Sequence, residues 1–282
     1  MWHKNATVFG IRAKQLNLSL ISSNTFSPCG TADLASSGWA PVFEGVPHYQ
    51  HGMQVLLHFM QEKKHIPKSA VEVVLAEKVA ALEESQGFAP GKKAMKELRE
   101  RVVDELLPRA LATRRQTRVW LDMQNGMVVI DSTSQPVIDE ITKTLVRQFE
   151  HLGLGDFDLP GAKVVTSWLI EEPADFTLDD EVTLQYPGAS GKLVKYTKAN
   201  LSEDDVQRHV QMANASVESM AMTYAGRLSF VLSSSGHLRR IKALDVLKES
   251  LSSAKNADAF QSDFALMTLE MQGLLKALQA AA

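Results

Sequence analysis

The sequence predicts an α+β fold, on three observations. Strand-like and helix-like segments are segregated along the chain, without the repeating strand-helix-strand order of a parallel sheet. Residues 118–132 carry two short alternating runs flanking Asn125-Gly126, a pair favoured in hairpin turns. Apolar residues at helical spacing recur after Pro67, after Ser134 and in the last 25 or so residues. With 282 residues and 45% apolar content, the chain is long and apolar enough to bury a real core.

Taken in order, residues 5–11 and 48–60 have the β-branched and aromatic content of strands, the second ending before Glu62, Lys63 and Lys64. Between them, Ser27-Pro28-Cys29-Gly30 and Gly38-Trp39-Ala40-Pro41 favour turns over regular structure. Ser69-Ala70-Val71-Glu72 reads as a capping box that starts a helix with Val71, Val74, Leu75, Val79 and Leu82 on one face. Gly87, Pro90 and Gly91 interrupt it, and Met95, Leu98, Val102 and Leu106 form a second stripe, which makes a helical hairpin. The β-hairpin of 118–132 follows, then a helix capped by Ser134 with Pro136 in its first turn and Val137, Ile138, Ile141, Leu145 and Phe149 on one face. Residues 164–170, 176–184, 192–197, 220–224 and 228–233 are candidate strands, with a short helix capped by Ser202, with Asp205 three residues on, among them. A last helix over about 258–280 carries Phe260, Phe264, Met267, Met271, Leu274 and Leu278.

Composition narrows the function classes. No stretch approaches the roughly 20 apolar residues that span a bilayer, and Met1-Trp2-His3-Lys4-Asn5 lacks the apolar region of a signal peptide, so a cytoplasmic protein without membrane association is expected. One cysteine, Cys29, excludes an internal disulfide and a multi-cysteine metal cluster. The net charge of −3 excludes a uniformly basic nucleic-acid binder. A local basic surface is compatible with that sum, because phosphate affinity depends on where cations cluster.

Enzyme signatures are mostly missing. Gly188-Ala189-Ser190-Gly191-Lys192 has the wrong spacing for a phosphate loop and precedes a strand, so a β-turn is the better reading. His48 and His51 lack further ligands, which leaves no metal site predicted. Cys29 is expected in the core, since nothing ties it to a His and acid pair. Glu171, Glu172, Asp179, Asp180 and Glu181 could hold Mg²⁺ in a nuclease, although a solvated acidic edge accounts for them better. The cations are more informative: Lys192, Lys195 and Lys198 form one cluster, Arg239, Arg240 and Lys242 a second, and Arg109, Arg114, Arg115 and Arg118 a third. Side chains alternate along a strand, so spacing alone puts Lys195 opposite Lys192 and Lys198 and does not yield one flat array. No aromatic residue interleaves regularly with a cluster, which favours backbone contact over base stacking.

Phe26-Ser27-Pro28-Cys29-Gly30, Gly38-Trp39-Ala40-Pro41, Leu106-Leu107-Pro108-Arg109-Ala110, Gln116-Thr117 leading into Trp120-Leu121-Asp122 and Asn125-Gly126, and Asp263-Phe264-Ala265-Leu266-Met267-Thr268 occur in the order and approximate spacing of the RdgC family. The chain resembles that family from Trp2 to about Leu278. The resemblance implies a crescent-shaped α+β subunit with mixed or antiparallel sheets, whose two copies close into a ring-shaped homodimer with a basic inner surface. It implies residues 1–66 with 117–160 as a central region, 67–116 as a projecting helical tip, 161–256 as a β-rich basic region and 257–282 as a C-terminal helix. It further implies a nucleoid-associated protein that binds single- and double-stranded DNA without marked sequence preference, restrains RecA, and has no cofactor or catalytic activity. Pro108, Arg109 and Leu111 are then dimer contacts, Leu111 standing where the family usually has an inserted phenylalanine. Lys198 matches a basic position implicated in DNA contact, with Ala199 in place of a neighbouring glutamine, and Lys192, Lys195, Arg227, Arg239, Arg240 and Lys242 are additional lining residues. Two other readings stay open: a Mg²⁺-dependent nuclease, and a diverged relative acting mainly by binding the recombinase.

Overall fold

The computed structural model describes residues 2–188, 191–201, 204–249 and 257–282. The fold is mixed α+β with antiparallel strand pairing, in two compact units. One unit comprises Met1–Leu18, Tyr49–Leu56 and Arg118–Ala282, and the other Ser19–His48 and Leu57–Thr117. Among the described residues, no helix is long and apolar enough to cross a membrane.

The strands in chain order are β1 (Thr7–Gly10), β2 (Ala35–Ala40), β3 (Tyr49–His51), β4 (Gln54–His65), β5 (Leu111–Asp122), β6 (Met127–Ile130), β7 (Gly155–Asp156), β8 (Phe176–Gln185), β9 (Leu193–Thr197), β10 (Ser216–Tyr224), β11 (Leu228–Ser233) and β12 (Leu238–Ala243). The helices are α1 (Lys68–Gln86), α2 (Lys92–Leu106), α3 (Gln135–Gln148), α4 (Ala162–Ser167), α5 (Asp204–Ala213), α6 (Asp245–Lys248) and α7 (Ala257–Ala280). One sheet has the order β2-β4-β5-β6-β1-β7 with β3 also on β4, and the other the order β12-β11-β10-β8-β9.

In the smaller unit, β2 pairs with the distal half of β4, from Ala35 opposite Lys63 to Ala40 opposite His58. This pairing overrides two expectations. Gly38-Trp39-Ala40 is strand rather than turn, because Trp39 buries its ring edge-on against Phe59 at 5.1 Å. β4 also runs on through Glu62, Lys63 and Lys64, whose charges do not stop it because Glu62 and Lys64 find partners: the Lys64 ammonium donates to the carbonyls of Gly30 and Thr31. The helical hairpin forms as expected, around Val71, Leu75 and Val102. Lys78 to Glu105 at 2.6 Å and Arg99 to Glu72 at 3.1 Å clip α1 to α2 across its surface. No capping box is present: α1 begins at Lys68 after Pro67, which places Ser69 inside the helix. Gly87 ends α1 at φ 76°, donating its N–H to the Glu83 carbonyl.

In the larger unit, β5 and β6 form the expected hairpin, with Asp122 opposite Met127. The turn is therefore four residues rather than the two implied by Asn125-Gly126, and the Asp122 carboxylate organises it by accepting from the N–H groups of Gln124 and Asn125, each at 3.0 Å. The same buried carboxylate accepts from Gln54 at 3.0 Å and from Gln272 of α7 at 2.7 Å. Phe264, Met267, Met271, Leu274 and Leu278 of α7 are fully buried, as their helical spacing predicts. Residues 164–170 are a correction. Residues 164–167 belong to helix α4 and 168–170 to the turn after it, not to a strand, because Val165 packs into the core and the Thr166 hydroxyl bridges the Ala162 carbonyl and the Val217 N–H of β10. Tertiary packing decides the conformation there against β-branched propensity. The expected cap at Ser202 lies outside the described residues, as do Ala189 and Ser190.

Candidate nucleic-acid interface

The five-stranded sheet lies wholly in the larger unit, and its register assigns the paired side chains to its two faces. Val182 pairs with Met220, Met222 with Phe230 and Leu232 with Leu238, so these apolar residues share one face, and all are buried. On the other face, Thr183 pairs with Lys195 and Ser219, Glu181 with Thr197, Thr223 with Ser229, Ser229 with Lys242 and Val231 with Arg239. One face is thus core. The other carries hydroxyls and small residues through its middle strands and cations on its two edge strands.

Spacing alone split Lys192, Lys195 and Lys198 between faces, and the register refines this. Lys195 on β9 lies on the polar face together with Arg239 and Lys242 on β12, while Lys192 and Lys198 flank β9 at its two ends. All of them are exposed. From β12 to β9 there are four interstrand steps of ~4.8 Å, which puts the backbones of the two edge strands about 19 Å apart.

Two of the three register shifts in this sheet lie beside the cations. Between Ser229 and Val231 of β11 the opposing positions are Lys242 and Arg239, so β12 carries one extra residue, and Arg240 within that bulge takes the left-handed conformation at φ 53°. In β8, three residues, Asp179, Asp180 and Glu181, oppose the single residue Ala221. Arg240 reaches over the small side chains between these bulges and donates to Glu181 at 2.9 Å, while Lys195 approaches the same carboxylate at 3.2 Å. Desolvation pushes the Glu181 carboxyl upward, but the hydrogen bonds and charges of Arg240 and Lys195 outweigh it and hold the group below its ordinary value. A cavity of about 480 Å³ opens beside the pair, lined in part by Asp179, Glu181, Ser229, Arg240 and Lys242. Asp179 is held above its ordinary value by desolvation, against the hydroxyl of Thr223 that donates to it at 3.0 Å.

Other predicted residues separate from this face. Arg227 lies in the β10–β11 turn and pairs with Glu270 of α7, which is 4% exposed, while its own side chain stays 45% exposed. Lys198 follows β9 in the left-handed region at φ 55°, and Ala199 beside it donates its backbone N–H to the Asp180 carbonyl. Pro108 and Arg109 lie in a short 3-10 helix of the smaller unit, Leu107–Arg109, and both are exposed. Leu111 is 83% exposed, which rules out a core leucine.

The remaining candidates find structural explanations. Cys29 is not a core side chain: it is half-buried, and its N–H donates to the Glu62 carboxylate at 2.7 Å. Desolvation and the adjoining Glu62 raise its thiol, which opposes thiolate chemistry. Glu62 also receives Arg114 in a close ion pair. His51 lies on β3 beside Gln261. Among the described residues, no group of three His, Cys, Asp or Glu side chains is arranged to hold a metal ion. The hydroxyls of Thr183, Ser219, Thr223 and Ser229 escaped sequence reasoning. Their signal was present in the alternation of Ser219, Ala221 and Thr223 with Met220 and Met222, whose meaning depends on which edge strands lie alongside.

Fold and site together define an α+β protein that presents an open antiparallel sheet, apolar on one face and edged with cations on the other. Its full length, residues 1–282, matches the family model described as "RdgC: Putative exonuclease, RdgC". The chain belongs to the RdgC family. It is 38% identical over 288 residues to the recombination-associated protein RdgC of Herminiimonas arsenicoxydans, covering 98% of this chain and 95% of that one. To the RdgC protein of Janthinobacterium sp. (strain Marseille) it is 37% identical over 294 residues, covering 100% and 97%, and to that of Bordetella pertussis (strain Tohama I / ATCC BAA-589 / NCTC 13251) 36% over 291 residues, covering 99% and 97%.

Proposed function

We propose that this protein binds single- and double-stranded DNA through the phosphate backbone, without base specificity, as a homodimer, and that it restrains a RecA-type recombinase by occupying DNA. The observation that carries the reading is the polar sheet face, with Lys195 on one edge strand, Arg239, Arg240 and Lys242 on the other, and hydroxyls between them. Ammonium and guanidinium groups neutralise phosphates, and hydroxyls add hydrogen bonds to phosphate oxygens that carry no sequence information. The paired positions of this face hold no aromatic ring, which favours backbone contact over base stacking. A net charge of −3 is no obstacle, since these cations are local.

Homodimerisation through the Pro108–Leu111 segment is supported by the exposed Leu111, an apolar side chain that a partner surface would cover. The recombination role draws on the names of the relatives. The reading is of binding rather than catalysis, because Glu181 is engaged by two cations and Asp179 by a hydroxyl. Labelled duplex incubated with the protein and Mg²⁺ or Mn²⁺ should stay intact, and cleavage would restore the nuclease reading. The direct test is the double variant K198A/R240A, which should bind duplex at least tenfold more weakly in low salt. Unaltered affinity would remove these residues from the site. Inhibition of strand exchange that persists when DNA is saturating would favour contact with the recombinase itself over occupation of DNA.

A further inference from the structure

Glu181 occupies the position of an anion between two cations that come from opposite edges of the sheet. Its Oε1 receives Nη2 of Arg240 at 2.9 Å and Nζ of Lys195 at 3.2 Å. Lys195 lies on β9, next to β8, whereas Arg240 lies on β12, three strands away across β10 and β11. One oxygen held by a guanidinium on one side and an ammonium on the other reproduces the surroundings of a bound phosphate oxygen.

The backbone is distorted twice to make this contact. The β8 bulge sets Asp179, Asp180 and Glu181 against Ala221 alone, and the β12 bulge holds Arg240 at φ 53°, a conformation costly for a residue with a Cβ. Such a conformation persists where the surroundings impose it, and it clusters at functional sites. The Lys195 and Arg240 side chains remain 53% and 54% exposed, so each keeps an open side toward solvent. Ion pairs with that much solvent access exchange partners readily. Asp179 shares the cavity but is engaged by the Thr223 hydroxyl, and neither Lys195 nor Arg240 is paired with it.

We infer that Glu181 is an internal competitor for DNA phosphate, occupying the site between Lys195 and Arg240 in the free protein and yielding it to a backbone phosphate; this rests on the DNA-binding reading. The carboxylate holds the two cations in position and at the same time limits affinity, which keeps a sequence-independent binder exchangeable on DNA.

The test is duplex binding by wild type, E181Q and E181D, followed by fluorescence anisotropy on one labelled duplex across a salt series. Glutamine keeps an acceptor oxygen at the same reach and removes only the charge. E181Q should bind about tenfold tighter at low salt, because phosphate no longer has to displace a carboxylate from Lys195 and Arg240, while the log affinity against log salt slope stays close to that of wild type. E181D, one methylene shorter, should move the same way by less, and decides the matter should E181Q fail to fold. Wild-type binding with unchanged or weaker affinity in the folded variants would overturn the competitor role and leave the DNA reading standing. Binding by none of the three would overturn both.

Discussion

Replacing Leu111 by alanine tests the dimer contact with little risk to the fold. Leu111 opens β5 and is 83% exposed, and the next five positions of that strand are exposed as well. Its removal should therefore change the stability of the isolated subunit by less than about 0.5 kcal/mol. In a two-fold contact the side chain is buried twice. Full burial of a leucine is worth ~1.5–3 kcal/mol, hence ~3–6 kcal/mol per dimer, of which the retained methyl keeps a part. At 1.4 kcal/mol per tenfold, the dimer dissociation constant should rise by about 10² to 10⁴. Sedimentation equilibrium over a concentration series reads that shift directly. L111F, with more apolar area to bury, should move the constant the other way. A dissociation constant unchanged by L111A would refute the contact, and a loss of subunit stability would show that Leu111 serves its own fold instead.

Arg227 provides a contrast. Because it serves Glu270, which is 4% exposed, R227A should lower unfolding free energy by about 1–3 kcal/mol in a denaturant titration, as a buried carboxylate loses its partner. DNA affinity should stay within about twofold, and a larger loss would return Arg227 to the interface. His237 makes stability depend on pH. Burial and the charge of Arg239 hold its imidazole below the ordinary value, so the unfolded chain takes up the proton first, near pH ~6.5. Its contribution is therefore present above about pH 6.5 and is lost as pH falls through the folded value. The melting temperature of wild type should drop between about pH 7.5 and 5.5 by more than that of H237N, which retains a donor toward the Thr7 hydroxyl. Equal drops would exclude His237 as the source.

The segments most legible in sequence were those in which local propensity and burial agree. In α7 and α3, the apolar stripe is the buried face, and the β5–β6 hairpin forms where its two apolar runs flank Asn125-Gly126, both runs being buried. The misread segments were those decided by distant partners. Residues 162–167 are helical because Val165 and Thr166 are committed to the core and to β10, information held some 50 residues away. β2 exists because Trp39 packs on Phe59 and the main chain finds β4, which Gly38 and Pro41 do not announce. The interface was half legible for the same reason. Clusters at 192–198 and 239–242 could be found by counting charges, but their assembly onto one face required the register of five strands and the bulge at Arg240. Glu181, within an acidic run, gave no sign that its carboxylate belongs between Lys195 and Arg240.

The central claim is a sequence-independent phosphate contact made by cations on the polar sheet face. The most direct measurement is the affinity of the wild-type protein for two duplexes of equal length and unrelated sequence between about 50 and 200 mM salt. Neutralising four or more phosphates predicts a log affinity against log salt slope of about −3.6 or steeper, with the two duplexes agreeing within about threefold. A flat salt dependence, or a preference of about 100-fold or more for one sequence, would contradict it.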